Sequence, residues 1–192
     1  TDLDIGMNQR LCEPFAWDDR RTLDRGKVMT AEELEAGRDF GRYKDVDGDG
    51  IPWRTLPGTH PTKGSYFTRG TTRNPYAQYS ERGPDYIYNV ERLLKKFATA
   101  ATLVPQPVLR PAARKTPLGV IYFGSTSPAM TEALAELAGD DVHLDALRLR
   151  AFPFPVSVRE FIDAHERVFV VEQNRDGQMH SLLVNELDVS PA

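Results

Sequence analysis

Three groups of residues have the types and spacing that chemistry requires. Asp45, Asp47 and Asp49 stand at alternate positions in Asp45-Val46-Asp47-Gly48-Asp49-Gly50-Ile51, with glycine at the sixth place, as calcium loops have it. Such a loop needs an acid at its twelfth place, and that place is Leu56, so a bound calcium or magnesium ion competes with a plain Asp/Gly turn held by Asx hydrogen bonds. Thr68 and Arg69 lie in Tyr66-Phe67-Thr68-Arg69-Gly70, where a hydroxyl and a guanidinium among aromatics can hold the carboxylate of a substrate; otherwise Arg69 makes an interdomain ion pair. Glu172, Gln173 and Asn174 follow an apolar run, where ligand-binding residues gather in open α/β sheets; as a polar interface with a neighbouring domain they read equally well.

The other reactive side chains carry less. His60, His143, His165 and His180 show no zinc-binding spacing, and Cys12, with no nearby histidine or lysine, reads as packing. A single cysteine excludes an internal disulfide framework and any cysteine-ligated cluster held by this chain alone. Gly124-Ser125-Thr126-Ser127 sits between a predicted strand and a predicted helix, where backbone N–H groups favour an anion, although Ser127 as a helix cap explains it as well.

The elements that must position these residues fall into two halves. Residues 1–84 are rich in Gly, Pro, Asp, Arg and aromatics and have no sustained period, apart from a helix start at Thr30-Ala31-Glu32-Glu33-Leu34. This predicts a long, mostly irregular arm, which Trp17, Trp53, Tyr66, Phe67, Tyr76 and Tyr79 mark as ordered rather than disordered. Over 84–103, Tyr86, Val90, Leu93, Leu94 and Phe97 recur at helical spacing, with Glu91, Arg92, Lys95 and Lys96 on the other face. Prolines 105, 107, 111 and 117 then predict an extended connector.

From residue 118 strands and helices alternate: strand 118–123, helix 128–138, strand 146–150, helix 156–165, strand 168–171 and helix 178–187. That rhythm predicts an α/β fold, a small parallel sheet with helices on both faces. The expected domains are 1–17, the tail of an upstream domain; 18–117, arm, helix and connector; and 118–192, the α/β domain. Thr1 opens the chain without an initiator methionine, which points to more chain upstream. With 24 basic and 28 acidic residues and a formal net charge of -4, no basic block marks a nucleic-acid face. No run approaches the roughly 20 apolar residues of a membrane span, so no membrane partner is expected, and the single cysteine fits a reducing, cytoplasmic setting.

Seven strings in order resemble one family: those beginning at Asp2, Arg25, Asp39, Asp45, Arg54, Tyr66 and Val170, among them Asp45-Val46-Asp47-Gly48-Asp49-Gly50-Ile51-Pro52 and Val170-Val171-Glu172-Gln173-Asn174-Arg175-Asp176. They look like the C-terminal third of the alpha subunit of 2-oxoglutarate:ferredoxin oxidoreductase, of the 2-oxoacid:acceptor oxidoreductase family. The resemblance implies a pyrimidine-binding domain followed by a transketolase C-terminal-like α/β domain. It also implies a beta subunit that binds thiamine diphosphate with magnesium and carries an iron–sulfur cluster, so that this chain carries none of these groups fully.

The implied reaction is oxidative decarboxylation of a 2-oxoacid to acyl-coenzyme A with reduction of ferredoxin. The implied partners are the beta subunit, the rest of the alpha subunit, coenzyme A and ferredoxin. No catalytic residue is assigned here, since the glutamate that activates the cofactor is expected upstream of Thr1. After Tyr66-Phe67-Thr68-Arg69-Gly70 the chain reads Thr71-Thr72-Arg73-Asn74, where the family pattern leads one to expect histidine, so no histidine role carries over. Two rival readings remain: a non-catalytic α/β interaction module, and a calcium-regulated binding protein that rests on the aspartate loop alone.

Overall fold

The computed structural model describes residues 18–190; Cys12, Trp17 and the expected domain tail 1–17 lie outside the described residues. Among those described, the chain divides into two compact units, 18–100 and 101–190.

In the second unit, β2 (Leu118–Phe123) is buried on both faces, because its six residues are apolar or glycine without polar alternation. It pairs in parallel with β3 (Asp145–Leu149) on one side and β4 (Arg167–Val171) on the other, with Ile121 opposite Leu147 and Val170. The short strand β1 (Val108–Arg110) adds an antiparallel edge to β3, giving the order β1-β3-β2-β4. That edge was not legible as a strand, because three residues between prolines give no period. The parallel part matches the expectation, and the sheet as a whole is mixed.

Side chains alternate across the sheet. On one face Ile121, Leu147 and Leu149 pack with Val158 and Phe161 of α4 (Val156–Asp163) and Leu183 of α5 (Gln178–Leu187). On the other face Val120, Tyr122 and Ala146 meet Met130 of α3 (Ser127–Gly139), so helices cover both faces. Gly119 is the point of closest approach: a Cβ there would stand 3.0 Å from the Phe161 ring and 3.1 Å from His165 Cγ. Helix α3 differs at its start from expectation. Its N-cap is Thr126, with no side-chain capping bond, and Ser127 is the first helical residue, because a 3-10 turn over Gly124–Thr126 leads directly into the helix.

The first unit has two helices. Helix α1 (Ala31–Glu35) is fixed by a capping box: the Glu33 N–H donates to Thr30 Oγ1 at 3.2 Å, and the Thr30 N–H donates to the Glu33 carboxylate at 2.9 Å. The longer α2 (Gly83–Leu103) is the scaffold for loops that otherwise hold only two isolated bridges, Val28 with Arg54 and Arg73 with Tyr79. The helix is amphipathic as expected, yet within this unit it docks through its polar side. Tyr88, Asn89, Arg92 and Thr99 bind the loops, while Tyr86, Ile87, Val90, Leu93, Leu94 and Phe97 stay exposed, Leu94 by 67% and Phe97 by 53%. No helix among the described residues is long and apolar enough to cross a membrane.

Ile121 is fully enclosed at the centre of one core, whereas Leu109 on the edge strand is more than half exposed. Truncating Ile121 to alanine should therefore cost about 2–4 kcal/mol through lost burial and a residual cavity. Leu109→Ala should stay within about 0.5 kcal/mol of the parent. Urea titration of both variants measures the contrast, and equal losses would contradict this core assignment.

Candidate functional site

The aspartate loop is organised around a lysine. Lys27 Nζ lies 2.6 Å from an Asp47 carboxylate oxygen, 2.6 Å from Asp49 Oδ2 and 3.2 Å from the Ile51 carbonyl oxygen. Asp45 stands apart: its Oδ1 accepts the Gly48 N–H at 3.0 Å, and its Oδ2 is 3.9 Å from Lys95 Nζ. Two of the three carboxylates that a bound cation would need thus face an ammonium group, and the third accepts a backbone N–H within the loop, as the turn reading has it. Among the described residues, no group of three His, Cys, Asp or Glu side chains is placed to hold a metal ion. Burial pulls the Lys27 pKa down, but the bonds to Asp47 and Asp49 outweigh it and the net direction is up. The same bonds from Lys27 lead in holding both aspartates below the usual carboxylate range.

The loop rests directly on α2. Gly50 has φ +78°, and a Cβ there would lie 2.7 Å from the Arg92 carbonyl oxygen, 2.8 Å from Lys96 Cα and closer still to Lys96 N. Arg92 Nη1 donates to the Gly50 carbonyl at 3.1 Å, Thr99 Oγ1 donates to the Asp49 carbonyl at 2.6 Å, and the Asp45 N–H donates to Tyr88 Oη at 2.8 Å. Trp53 is tied in as well: its Nε1 donates to Asp47 at 2.8 Å, and the Arg38 guanidinium lies 3.9 Å above its ring.

Thr68 and Arg69, the candidate substrate ligands, part company. Thr68 is half-buried and its hydroxyl has no hydrogen-bond partner among the described residues, whereas Arg69 is exposed. Three guanidiniums converge on the Tyr43 ring, those of Arg73, Arg42 and Arg92, whose Cζ atoms lie 5.2, 5.5 and 5.8 Å from its centroid. Arg73 donates to Tyr43 Oη at 3.2 Å and to the Gly70 carbonyl at 2.9 Å. Burial raises the Tyr43 pKa, but the bond from Arg73 and the charges of Arg73 and Arg42 prevail and lower it. A cavity of about 260 Å³ opens beside these groups, lined by Tyr43, Arg73, Asn89 and Arg92 and by the apolar Tyr86, Val90 and Leu93. Sequence reading passed over this cluster because Arg92 looked like part of a solvated helix face. The available signal was Asn89 three residues before Arg92, a spacing that puts both on one side of a helix.

Glu172, Gln173 and Asn174 lie in the loop after β4. Glu172 accepts the N–H groups of Met179 at 2.9 Å and His180 at 3.1 Å, Asn174 Oδ1 accepts that of Gln178 at 3.1 Å, and Asn174 Nδ2 donates to Glu172. Both side chains therefore serve the first turn of α5, whose N-cap, Gly177, has no side chain to do so. Burial raises the Glu172 pKa, and the two backbone N–H bonds, with Asn174 and His180, more than reverse this, so the net direction is down. Gln173 is exposed.

No family model matches the chain. In sequence it is 27% identical over 179 residues, 90% of its length, to the alpha subunit of 2-oxoacid:ferredoxin oxidoreductase 2 from Aeropyrum pernix. In structure, 81% of it superposes with a TM-score of 0.69 and 19% identity on the 2-oxoglutarate:ferredoxin oxidoreductase from Magnetococcus marinus, which was solved with 2-oxoglutarate, coenzyme A and succinyl-CoA bound. The chain spans 27% of the length of each. The resemblance read from the seven strings is thereby borne out, and the α/β fold is shared with the structural neighbour.

Two measurements check the site geometry. A methyl group at position 50 meets helix backbone and a positive φ together, so Gly50→Ala should destabilise the first unit by roughly 2–4 kcal/mol. Its denaturation midpoint, with Gly48→Ala as the control for a positive φ alone, reads the difference. For Glu172, whose pKa is lowered on folding, stabilisation is complete above about pH 5 and is lost as pH falls through the folded-state value. Glu172→Gln should accordingly be less stable than the parent at pH 7, and the gap should close on acidification. A gap independent of pH would remove the charge from the explanation.

Proposed function

We propose that this chain is part of the alpha subunit of a thiamine-dependent 2-oxoacid:ferredoxin oxidoreductase, and that within the enzyme it serves subunit assembly and frames the active site. The observation that carries this reading is the sequence similarity to such an alpha subunit along 90% of the chain. In the reaction proposed, a 2-oxoacid and coenzyme A give acyl-coenzyme A and carbon dioxide, while two electrons pass one at a time to two ferredoxins. The choice of 2-oxoglutarate as substrate rests on the motif resemblance, since the structural neighbour that binds it is only 19% identical.

The residues described do not suit the enzyme's redox and cofactor chemistry. One cysteine in the whole chain is too few for an iron–sulfur cluster, and among the described residues no group of three His, Cys, Asp or Glu side chains is placed to hold a metal ion. The reading places thiamine diphosphate, magnesium and the cluster mainly on a beta subunit, and assigns no catalytic side chain here. What these residues offer is surface. The exposed Ile87, Leu94 and Phe97 of α2, with Phe67 80% exposed, support an assembly role, because large apolar groups left in water favour a covering partner. The beta subunit and the remainder of the alpha subunit are the partners proposed, with ferredoxin and coenzyme A at the level of the complex, in the cytoplasm.

A purified complex containing this chain should reduce a viologen dye only when a 2-oxoacid and coenzyme A are both present, fastest with 2-oxoglutarate. Absence of reduction with every 2-oxoacid in a complex that retains its cluster would overturn the enzymatic reading, leaving an α/β interaction module. Faster turnover of another 2-oxoacid would overturn the substrate choice alone.

A further inference from the structure

The cavity beside Tyr43 holds two cations without anions. Arg92 is only 7% exposed, yet its guanidinium makes one hydrogen bond, to the Gly50 carbonyl, and its Nε has no partner. Arg73 binds a carbonyl and a tyrosine hydroxyl, and its Nε is also buried and unpaired. Asn89 donates twice, to the carbonyls of Arg73 and Asp85, which fixes its amide and leaves Oδ1 without a partner. Among the described residues neither arginine has a salt bridge, and no acidic residue lines the cavity. Asp45, the carboxylate whose charge reaches Arg92, is already engaged by the Gly48 N–H and lies near Lys95.

A guanidinium has five donors, and taking a charge out of water without a counter-ion is costly. Arg92, being buried, bears that cost without a counter-ion, Arg73 beside it is half-buried, and an oxyanion would supply the missing charge, since planar guanidinium forks match a carboxylate. The cavity has a second kind of wall. Tyr86, Val90 and Leu93 line it with hydrocarbon, and Thr71 and Thr72 are also among its lining residues. About 260 Å³ holds a molecule of a few carbon atoms, not a nucleotide.

We propose that this cavity binds a small organic anion, with its carboxylate on Arg73 and Arg92 and its short hydrocarbon body against Tyr86, Val90 and Leu93. The site is built wholly from residues 43–93 and does not depend on the redox reading. The oxyanion head supplies charge neutralisation, and the apolar wall discriminates between anions of equal charge.

The test is titration of the nitrogen-15-labelled chain at constant ionic strength with butyrate, inorganic phosphate or chloride. It is followed by the Nε–Hε resonances of arginine and by the melting temperature. Butyrate should shift the Arg73 and Arg92 Nε signals saturably and raise the melting temperature, phosphate should bind several-fold more weakly, and chloride should do neither. Arg73→Gln should weaken butyrate binding at least tenfold. Leu93→Gln, at an exposed helix position, should weaken butyrate several-fold and leave phosphate unchanged. Because Arg92 also supports the loop, it is left intact. Butyrate shifts no larger than those of chloride would overturn the site. Equal affinity for butyrate and phosphate, or a Leu93→Gln variant that binds butyrate normally, would overturn the role of the apolar wall.

Discussion

Backbone amides and carbonyls that leave water need partners, and the first unit has almost no regular structure to supply them. The loops pair in part with one another, as in Arg54 with Lys27 and Tyr43 with Pro75, and helix α2 supplies further partners. Tyr88 takes the Asp45 N–H, Arg92 and Thr99 bind the carbonyls of Gly50 and Asp49, and Asn89 binds the carbonyl of Arg73. These contacts explain why the helix turns its polar side to its own unit. An irregular chain offers a helix mainly polar backbone to bind, and side chains with donors are what such a surface accepts. The apolar stripe is left outward by the same choice, so loop order and the exposed hydrophobic surface have one cause.

The α/β unit obeys a different constraint. Its sheet is closed by apolar contact on both faces of β2, and Gly119 lets the Phe161 ring and His165 lie against the strand. Here sequence and structure nearly coincide, because an unbroken apolar strand and a helix of period 3.6 each announce themselves locally. The helix over 178–187 was legible to the residue for that reason, and the strand over 118–123 likewise. What was missed is equally local in cause. Val108–Arg110 has three residues, all exposed, and only its pairing with β3 makes it a strand.

The first unit was legible in its chemistry and not in its pairings. Alternating aspartates and glycines announced a tight acidic loop, but the cation between Asp47 and Asp49 comes from Lys27, some twenty residues away, and nothing in either segment names the other. Helical spacing identified the two sides of α2 correctly, while the usual expectation that the apolar side docks inward fails within this unit. Arg92 illustrates the difficulty. In a sequence a long charged side chain on a polar face reads as solvated, whereas here the Gly50 carbonyl and the Tyr43 ring lie against it and it is buried.

That enclosure links the aspartate loop to the cavity. Lys27 gathers Asp47 and Asp49, and the loop they shape brings Gly50 against the backbone at Arg92 and Lys96. Gly50 then accepts one donor of Arg92, fixing the guanidinium whose Nε stays unpaired beside Tyr43. A side chain as long as arginine loses about 2 kcal/mol of rotamer entropy when it is immobilised, so holding one still in advance lowers what an incoming anion must order. The acidic loop, for which a cation site and a plain turn both stood open, thus has a further physical role, as the support that keeps a cationic group in place.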